Sequence, residues 1–338
     1  MVDVGVFGAS GYTGQALLDI LLFHPGVRVT LVTSSTHRGK RLEEVFPRLA
    51  GQSSLTFEAP DPISQTDRAA VFFLCLPHKE AMAVAPLLLE NGKKVIDLSA
   101  DFRLKDAGVY EKWYGASHTA PEYLDMAVYG LPELYANQIA HADLIAAPGC
   151  YPTSAILGLA PVIGLDWIKR QSVVINSVSG VTGAGKKLEP QYMLAELEGN
   201  FYPYGAPKHR HTPEIEQELS RLAGGNVTVT FIPHLLPVTK GIYTTITADL
   251  TRPVSSEEAL GVYSTFYSGK PFVRAHGSFP QMKWVVDRNI CVIGVTVDER
   301  AGRIIITSTI DNLIKGASGQ AVQCLNLRLG LAETTGLK

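Results

Sequence analysis

Apolar residues recur along this chain in two rhythms. In the first 150 residues, short and almost wholly apolar runs alternate with longer stretches at helical spacing. Val4–Phe7 ends at Gly8, and a helical pattern follows over roughly Gly11–Phe23, with Leu17, Leu18, Leu21 and Leu22 on one side. Val27–Val32 is β-branched, Ala70–Leu76 is nearly all apolar, Glu80–Glu90 reads as a helix in spite of Pro86, and Lys94–Leu98 reads again as a strand. Apolar runs without alternation belong to strands covered on both faces. The strand–helix–strand repetition predicts a parallel sheet wrapped by helices.

The second half changes rhythm. Ser172–Ser179, Val227–Pro233, Gly241–Leu250, Ile290–Asp298 and Arg303–Ser308 are long β-rich runs with fewer helical stretches between them. Val174–Val178 and Tyr243–Thr247 alternate in part, as half-covered strands do. A mixed or antiparallel sheet is expected here, with a final segment, Asn312–Gly330, that is helical after its small-residue start. The change of rhythm places a domain boundary near Ala147–Gly149.

Composition narrows this picture. A chain of 338 residues suits about two domains. At 46% hydrophobic and 18% charged, it excludes disorder as the main state and leaves room for a buried subunit interface. Thirty Lys and Arg against 32 Asp and Glu give a net charge of −2, a poor surface for tracking nucleic-acid phosphates. No apolar run reaches the roughly 18 residues of a membrane span; the longest lies near Ala155–Leu165. The first residues read directly as a strand, without a secretory signal. Cys75, Cys150, Cys291 and Cys324 form no CxxC pair, so a reducing cytoplasm is expected rather than a disulfide scaffold. No metal site is expected, since the His209/His211 pair is a weak ligand signal by itself.

Two segments carry chemistry. Gly8-Ala9-Ser10-Gly11-Tyr12-Thr13-Gly14 follows the first strand and opens a helix, the context in which glycines admit a pyrophosphate to a helix N-terminus. An NAD site normally ends the second strand with Asp or Glu for the ribose 2′-hydroxyl. Here that position reads Thr33-Ser34-Ser35-Thr36-His37-Arg38-Gly39-Lys40, hydroxyls and cations suited to a 2′-phosphate. Ser34, Ser35, Arg38 and Lys40 therefore predict NADP(H). The second segment is Pro148-Gly149-Cys150-Tyr151-Pro152-Thr153, a turn that sets Cys150 at a helix start. Backbone N–H groups there favour a thiolate and can hold an oxyanion. The other three cysteines lie in apolar patterns and read as packing.

With these motifs, the order of Ser179-Gly180-Val181-Thr182-Gly183-Ala184-Gly185-Lys186-Lys187, His209-Arg210-His211-Thr212-Pro213-Glu214-Ile215 and Lys315-Gly316-Ala317-Ser318-Gly319-Gln320-Ala321 resembles the N-acetyl-gamma-glutamyl-phosphate reductases of arginine biosynthesis. Val95–Leu104 and Tyr129–Glu133 add to the resemblance, which covers nearly the whole chain. It implies a Rossmann domain over residues 1–147, with the C-terminal helix 313–338 returning to it. It also implies an α+β catalytic and subunit-contact domain over residues 148–312.

The resemblance further implies the chemistry. The Cys150 thiolate attacks the acyl phosphate, phosphate leaves a thioester, and reduction by NADPH yields N-acetylglutamate 5-semialdehyde. The proton carrier is His211 or His209, with His211 preferred at the helix start and the geometry left open. Arg103, Arg210, Lys186, Lys187 and Lys240 are candidate partners of the substrate's carboxylate and phosphate. Pro77, Gly180, Gly183, Ala184 and Gly185 are expected at the cofactor, and His78 and Ser99 follow strand ends where ligands bind. The competing readings are a reductase of carrier-bound aminoadipyl phosphate and, from another class, a catalytically silent NADP-binding regulator. A homodimer or homotetramer is expected.

Overall fold

The computed structural model describes residues 1–186 and 189–338, and Lys187 lies outside that range. The chain divides into two compact units, Met1–Pro148 with Ala317–Lys338, and Gly149–Gly316.

The first unit is built on strands β1 (Val2–Phe7), β2 (Val27–Val32), β3 (Val71–Leu74), β4 (Lys94–Asp97), β5 (Val128–Tyr129) and β6 (Leu144–Ala146). They pair in the order β2-β1-β3-β4-β6-β5, and every pairing is parallel. All four residues of β3 are buried, as its unbroken apolar run requires. Helices α1 (Tyr12–Leu21), α2 (Ala81–Glu90), α3 (Ala107–Tyr114) and α4 (Pro132–Ile139) complete this part of the unit. Leu17, Leu18 and Leu21 form the buried side of α1. The C-terminal helix Gly319–Arg328 belongs to this unit. Ser318 Oγ donates to Thr13 O at 2.8 Å, and Gln323 Nε2 donates to Glu133 Oε1 at 3.2 Å. The strand order reverses between β1 and β3, the crevice where such sheets bind ligands.

The second unit holds β7 (Val174–Gly180), β8 (Tyr202–Pro203), β9 (Thr230–Leu236), β10 (Ile242–Asp249), β11 (Val273–His276), β12 (Cys291–Asp298) and β13 (Arg303–Ile310). Their order is β11-β12-β13-β10-β7-β9-β8, mixed in direction. β11 with β12 and β7 with β9 are parallel, and the remaining pairs are antiparallel. Helices α5 (Cys150–Ile163), α6 (Thr212–Ala223) and α7 (Ser256–Phe266) accompany the sheet.

Helix α5 carries the predicted nucleophile, and its packing fixes it firmly. Every residue from Tyr151 to Ile163 is buried. Gly158 lets the helix approach the sheet, since a Cβ there would lie 2.9 Å from Ile246 Cδ1. Ser154 Oγ donates to Thr244 Oγ1 at 2.9 Å, a buried hydroxyl contact that sets the helix on the strands. Pro161 has no N–H for the carbonyl of Leu157, and the Tyr267 hydroxyl donates to that oxygen instead.

Candidate functional site

In the first unit, the loop after β1 is shaped by three glycines with different duties. Gly8 has φ +74°, and a Cβ there would lie 2.4 Å from Cys75 O. Gly14 packs on Ala9, where a Cβ would come within 2.6 Å of backbone. Gly11 has neither constraint: its φ is −71°, and its Cβ would meet only Gly8 O at 3.9 Å. Open space beside an unconstrained glycine, at a helix start with no side-chain cap and no acidic residue in its first turn, fits an approaching diphosphate. Ser10 Oγ and Ser34 Oγ are 2.8 Å apart, joining this loop to the end of β2. Ser35, Arg38 and Lys40 are exposed beyond it, and among the described residues no ion pair engages Arg38 or Lys40.

The strand ends nearby are tightly tied. Ser99 Oγ donates to Asp97 Oδ2 at 2.8 Å, and burial together with the charge of Asp101 pushes Asp97 up to about 7. Asp101 accepts from Lys79 N, Met82 N and the Tyr110 hydroxyl. His78 Nδ1 accepts the Ala100 N–H at 3.1 Å, and Pro77 is exposed. Arg103 is buried. Its Nε donates to Ala147 O at 2.7 Å and its Nη2 to Leu98 O at 3.0 Å, so it holds the backbone that leads to the Cys150 turn.

In the second unit, Cys150 is the first residue of α5 and is partly buried. Gly149 precedes it. A Cβ on Gly149 would lie 2.6 Å from His211 Nε2, so the imidazole rests on the backbone next to the thiol. A Cβ on Gly316 would lie 2.9 Å from Cys150 Cβ. Two glycines thus bound the nucleophile on two sides. The Gly149 N–H donates to Glu214 Oε1 at 2.8 Å, and Glu214 is buried. The first turn of α5 itself has neither an acidic residue nor a side-chain cap from Gly149, and the Glu214 carboxylate is the negative group that meets this helix start.

The two histidines have different surroundings. His209 Nδ1 accepts the His211 N–H at 3.2 Å, and its ring meets Tyr151, Tyr204 and Phe231 edge-on. Burial, with a smaller effect from the Arg210 charge, pulls His209 down to about 4. It is therefore neutral near neutral pH. Tyr204 donates its hydroxyl to that of Tyr151 at 3.0 Å, and Tyr151 donates to His234 O at 3.2 Å; burial raises both phenols well above their ordinary range.

The predicted cations differ in exposure. Arg210 and Lys186 are exposed, whereas Lys240 is half-buried with its Nζ 2.6 Å from Asp287 Oδ1. Gly180 lies against the backbone of Thr239 and Lys240. Gly183 approaches Ser179 Oγ, Ala184 closes the short turn Val181–Ala184, and Gly185 has φ +79°. Cys291 and Cys324 are buried; Cys75 is partly buried, and burial raises its thiol far above the ordinary range. Among the described residues, no group of three or more His, Cys, Asp or Glu side chains is placed to hold a metal ion.

Sequence reasoning did not single out Glu214, Asp287, Asp311 or Asn312. Glu214 stands three residues after His211 in the first turn of α6, where an acid reads as an ordinary partner of the helix dipole. Only its burial against Gly149 marks it out.

Residues 3–142 match the NAD binding domain of semialdehyde dehydrogenases, and residues 150–312 match their dimerisation domain. Aspartate semialdehyde dehydrogenase II of Vibrio cholerae, solved as a complex with ASA, superposes with a TM-score of 0.73 at 17% identity, covering 98% of each chain. The Candida albicans aspartate semialdehyde dehydrogenase solved with NADP gives a TM-score of 0.71 at 14% identity, over 98% of this chain and 100% of that one. At such identities they show the shared fold. The chain belongs to the semialdehyde dehydrogenase family, and its first unit is the NAD(P)-binding domain. The N-acetyl-gamma-glutamyl-phosphate reductase of Pelotomaculum thermopropionicum is 50% identical over 338 residues, covering 99% of this chain and 97% of that protein. That of Desulfotalea psychrophila is 50% identical over 341 residues, covering 100% and 98%. Within the wider family, the chain belongs to the N-acetyl-gamma-glutamyl-phosphate reductases.

Proposed function

We propose that this chain reduces N-acetyl-gamma-glutamyl phosphate to N-acetylglutamate 5-semialdehyde and phosphate, with Cys150 as the nucleophile and His211 as the proton carrier. The observation that carries this is the His211 Nε2 resting on Gly149, next to the thiol at the start of α5. The Cys150 sulfur attacks the acyl carbon, and the bond to the phosphate oxygen breaks to leave a thioester. The N–H end of α5 stabilises charge on the sulfur and on the carbonyl oxygen. NADPH, which the Gly8–Gly14 loop and the residues after β2 would hold, would supply the hydride for the acyl carbon. His211 then serves the oxygen of the thiohemiacetal, whose collapse releases the aldehyde and restores the thiolate. Glu214 orients the turn by holding the Gly149 N–H.

NADPH is favoured over NADH by the absence of a carboxylate after β2 and by the exposed Arg38 and Lys40 beside Ser34 and Ser35. The Gly8–Gly14 loop holds the diphosphate; the Gly180–Gly185 loop and Pro77 are assigned to the cofactor as well. Lys240 receives the substrate phosphate. Arg210 and Lys186 are further candidates for its anionic groups, and Arg103 supports the turn from its backbone contacts. The four thiols suit a reducing cytoplasm. No helix among the described residues is long and apolar enough to cross a membrane.

The reverse reaction tests this reading. With NADP+ and inorganic phosphate, N-acetylglutamate 5-semialdehyde should be oxidised far faster than a carrier-bound aminoadipate semialdehyde. Cys150→Ser should abolish that turnover. A preference for the carrier-bound aldehyde, or turnover without the thiol, would refute it.

A further inference from the structure

We propose that Asp287 is a built-in competitor for the phosphate subsite: its carboxylate holds Lys240 until a phosphate displaces it, and so sets how tightly phosphate binds. The proposal rests on the reading of Lys240 as the residue that receives the substrate phosphate.

Asp287 is one of two non-glycine residues with positive φ among those described, at +60°. Aspartate tolerates that region better than most residues, but still at a backbone cost. What the conformation yields is an ion pair with Lys240, Nζ to Oδ1 at 2.6 Å, in which the aspartate side chain is 70% exposed. Exposed ion pairs contribute little to stability, so this one does not explain the conformation.

The surrounding hydrogen bonds show how the pair is held. The Asp287 N–H donates to Asp311 Oδ2 at 2.7 Å. The N–H of Gly241, the residue after Lys240, donates to Asn312 Oδ1 at 2.8 Å. Two consecutive buried residues therefore fasten the backbones of both members of the pair. The same segment reaches the nucleophile. Asp311 Oδ1 accepts from Leu313 N and Ile314 N, and Asp311 O accepts the Gly316 N–H at 2.9 Å. Gly316 in turn abuts Cys150. The pair is a fixture of the strand and turn that flank the thiol. A carboxylate on a lysine that is to receive a dianionic group is a stand-in for that group, and the two must exchange.

Inorganic phosphate is the probe. In the reverse reaction, with semialdehyde and NADP+ saturating, Asp287→Asn should lower the half-saturating phosphate concentration by about two- to fivefold, the scale of an exposed ion pair. Asp287→Gly should do the same, because glycine accepts the positive φ without strain and keeps the chain folded. The KM for NADP+ should not move. Lys240→Met should raise the phosphate requirement by about tenfold, the loss of one charged hydrogen bond. The double variant Asp287→Asn/Lys240→Met should match Lys240→Met. If both Asp287 variants leave the phosphate requirement unchanged or raise it while Lys240→Met still raises it, Asp287 is no competitor, although Lys240 keeps its role. If Lys240→Met has no effect, the phosphate assignment falls and this proposal with it.

Discussion

His209 and His211 are two residues apart and of one type, yet their contacts give them different work. His211 lays its Nε2 on Gly149, whereas His209 turns its Nδ1 to accept the His211 N–H and faces three aromatic rings. His211→Gln should lower kcat by about 10²-fold or more, the usual contribution of a positioned acid or base. His209→Phe should keep more of the turnover, because the ring still fills the aromatic enclosure. It should also change the acid response. The ordinary histidine value is 6.5, and His209 in the fold lies at about 4. Between those values the unfolded chain binds a proton that the folded chain refuses. The contribution is full above pH 6.5 and is lost as pH falls towards 4, on the order of 3 kcal/mol. Denaturant unfolding at pH 7 and pH 4.5 should show a smaller loss for His209→Phe than for the parent chain. Equal losses would mean that another group governs the acid limb.

Elements explain how far the chain could be read without coordinates. Strands β1 and β3 stand out because covered parallel strands leave runs such as Val71-Phe72-Phe73-Leu74, and the edge strand β2, with Arg28 exposed, stands out by its β-branched residues instead. β5 and β6 did not, because two and three residues are too few to show a period. Helix α5 was legible as the place of Cys150 from its Pro-Gly turn. Of its neighbours, His211 was reached only through the family resemblance, and Gly316 not at all, since its approach depends on a distant part of the chain. The stretch Asn312–Gly330 reads as helical after a small-residue start, and the helix Gly319–Arg328 does follow that start, which is itself a π-helical turn over Ile314–Ser318. That wider turn brings Gly316 against Cys150, which a periodicity count does not reveal. It also yields a test. Gly316→Ala must move Cys150, Asp311 or both, given contacts of 2.9 and 3.2 Å for the added carbon. A shift of about 1 Å at reacting atoms costs on the order of 10²-fold in rate. The expected result is a fall in kcat and an altered rate of Cys150 alkylation by iodoacetamide, with NADPH binding unchanged. Parent-like alkylation and turnover would show that the contact is slack.

The whole molecule raises the question of what covers the second sheet. Ile242, Thr244, Ile246 and Ala248 of β10 are buried, and Gly158 and Ser154 of α5 meet them from that side. The alternate positions Tyr243, Thr245 and Thr247 point the other way and are half-buried; Val178, across from Tyr243, shares that state, as does Ile232 across from the exposed Asn176, whereas Thr309 and Thr307 on the β13 side are buried. This opposite face is rich in threonine and aliphatic residues, with few charges to keep it in water. The same residues lie in the region that matches a dimerisation domain. A second copy of the chain is the expected partner, because a symmetric contact sets one face against itself, and the low charged fraction fits such burial. Light scattering on the purified protein should therefore give at least twice the chain mass. Asn176→Arg with Thr245→Arg places two cations on one face of adjacent strands, where two copies would meet. The variant should run as a monomer while NADPH binding at the Gly8–Gly14 loop persists. A variant that keeps the parent mass would move the interface to another surface.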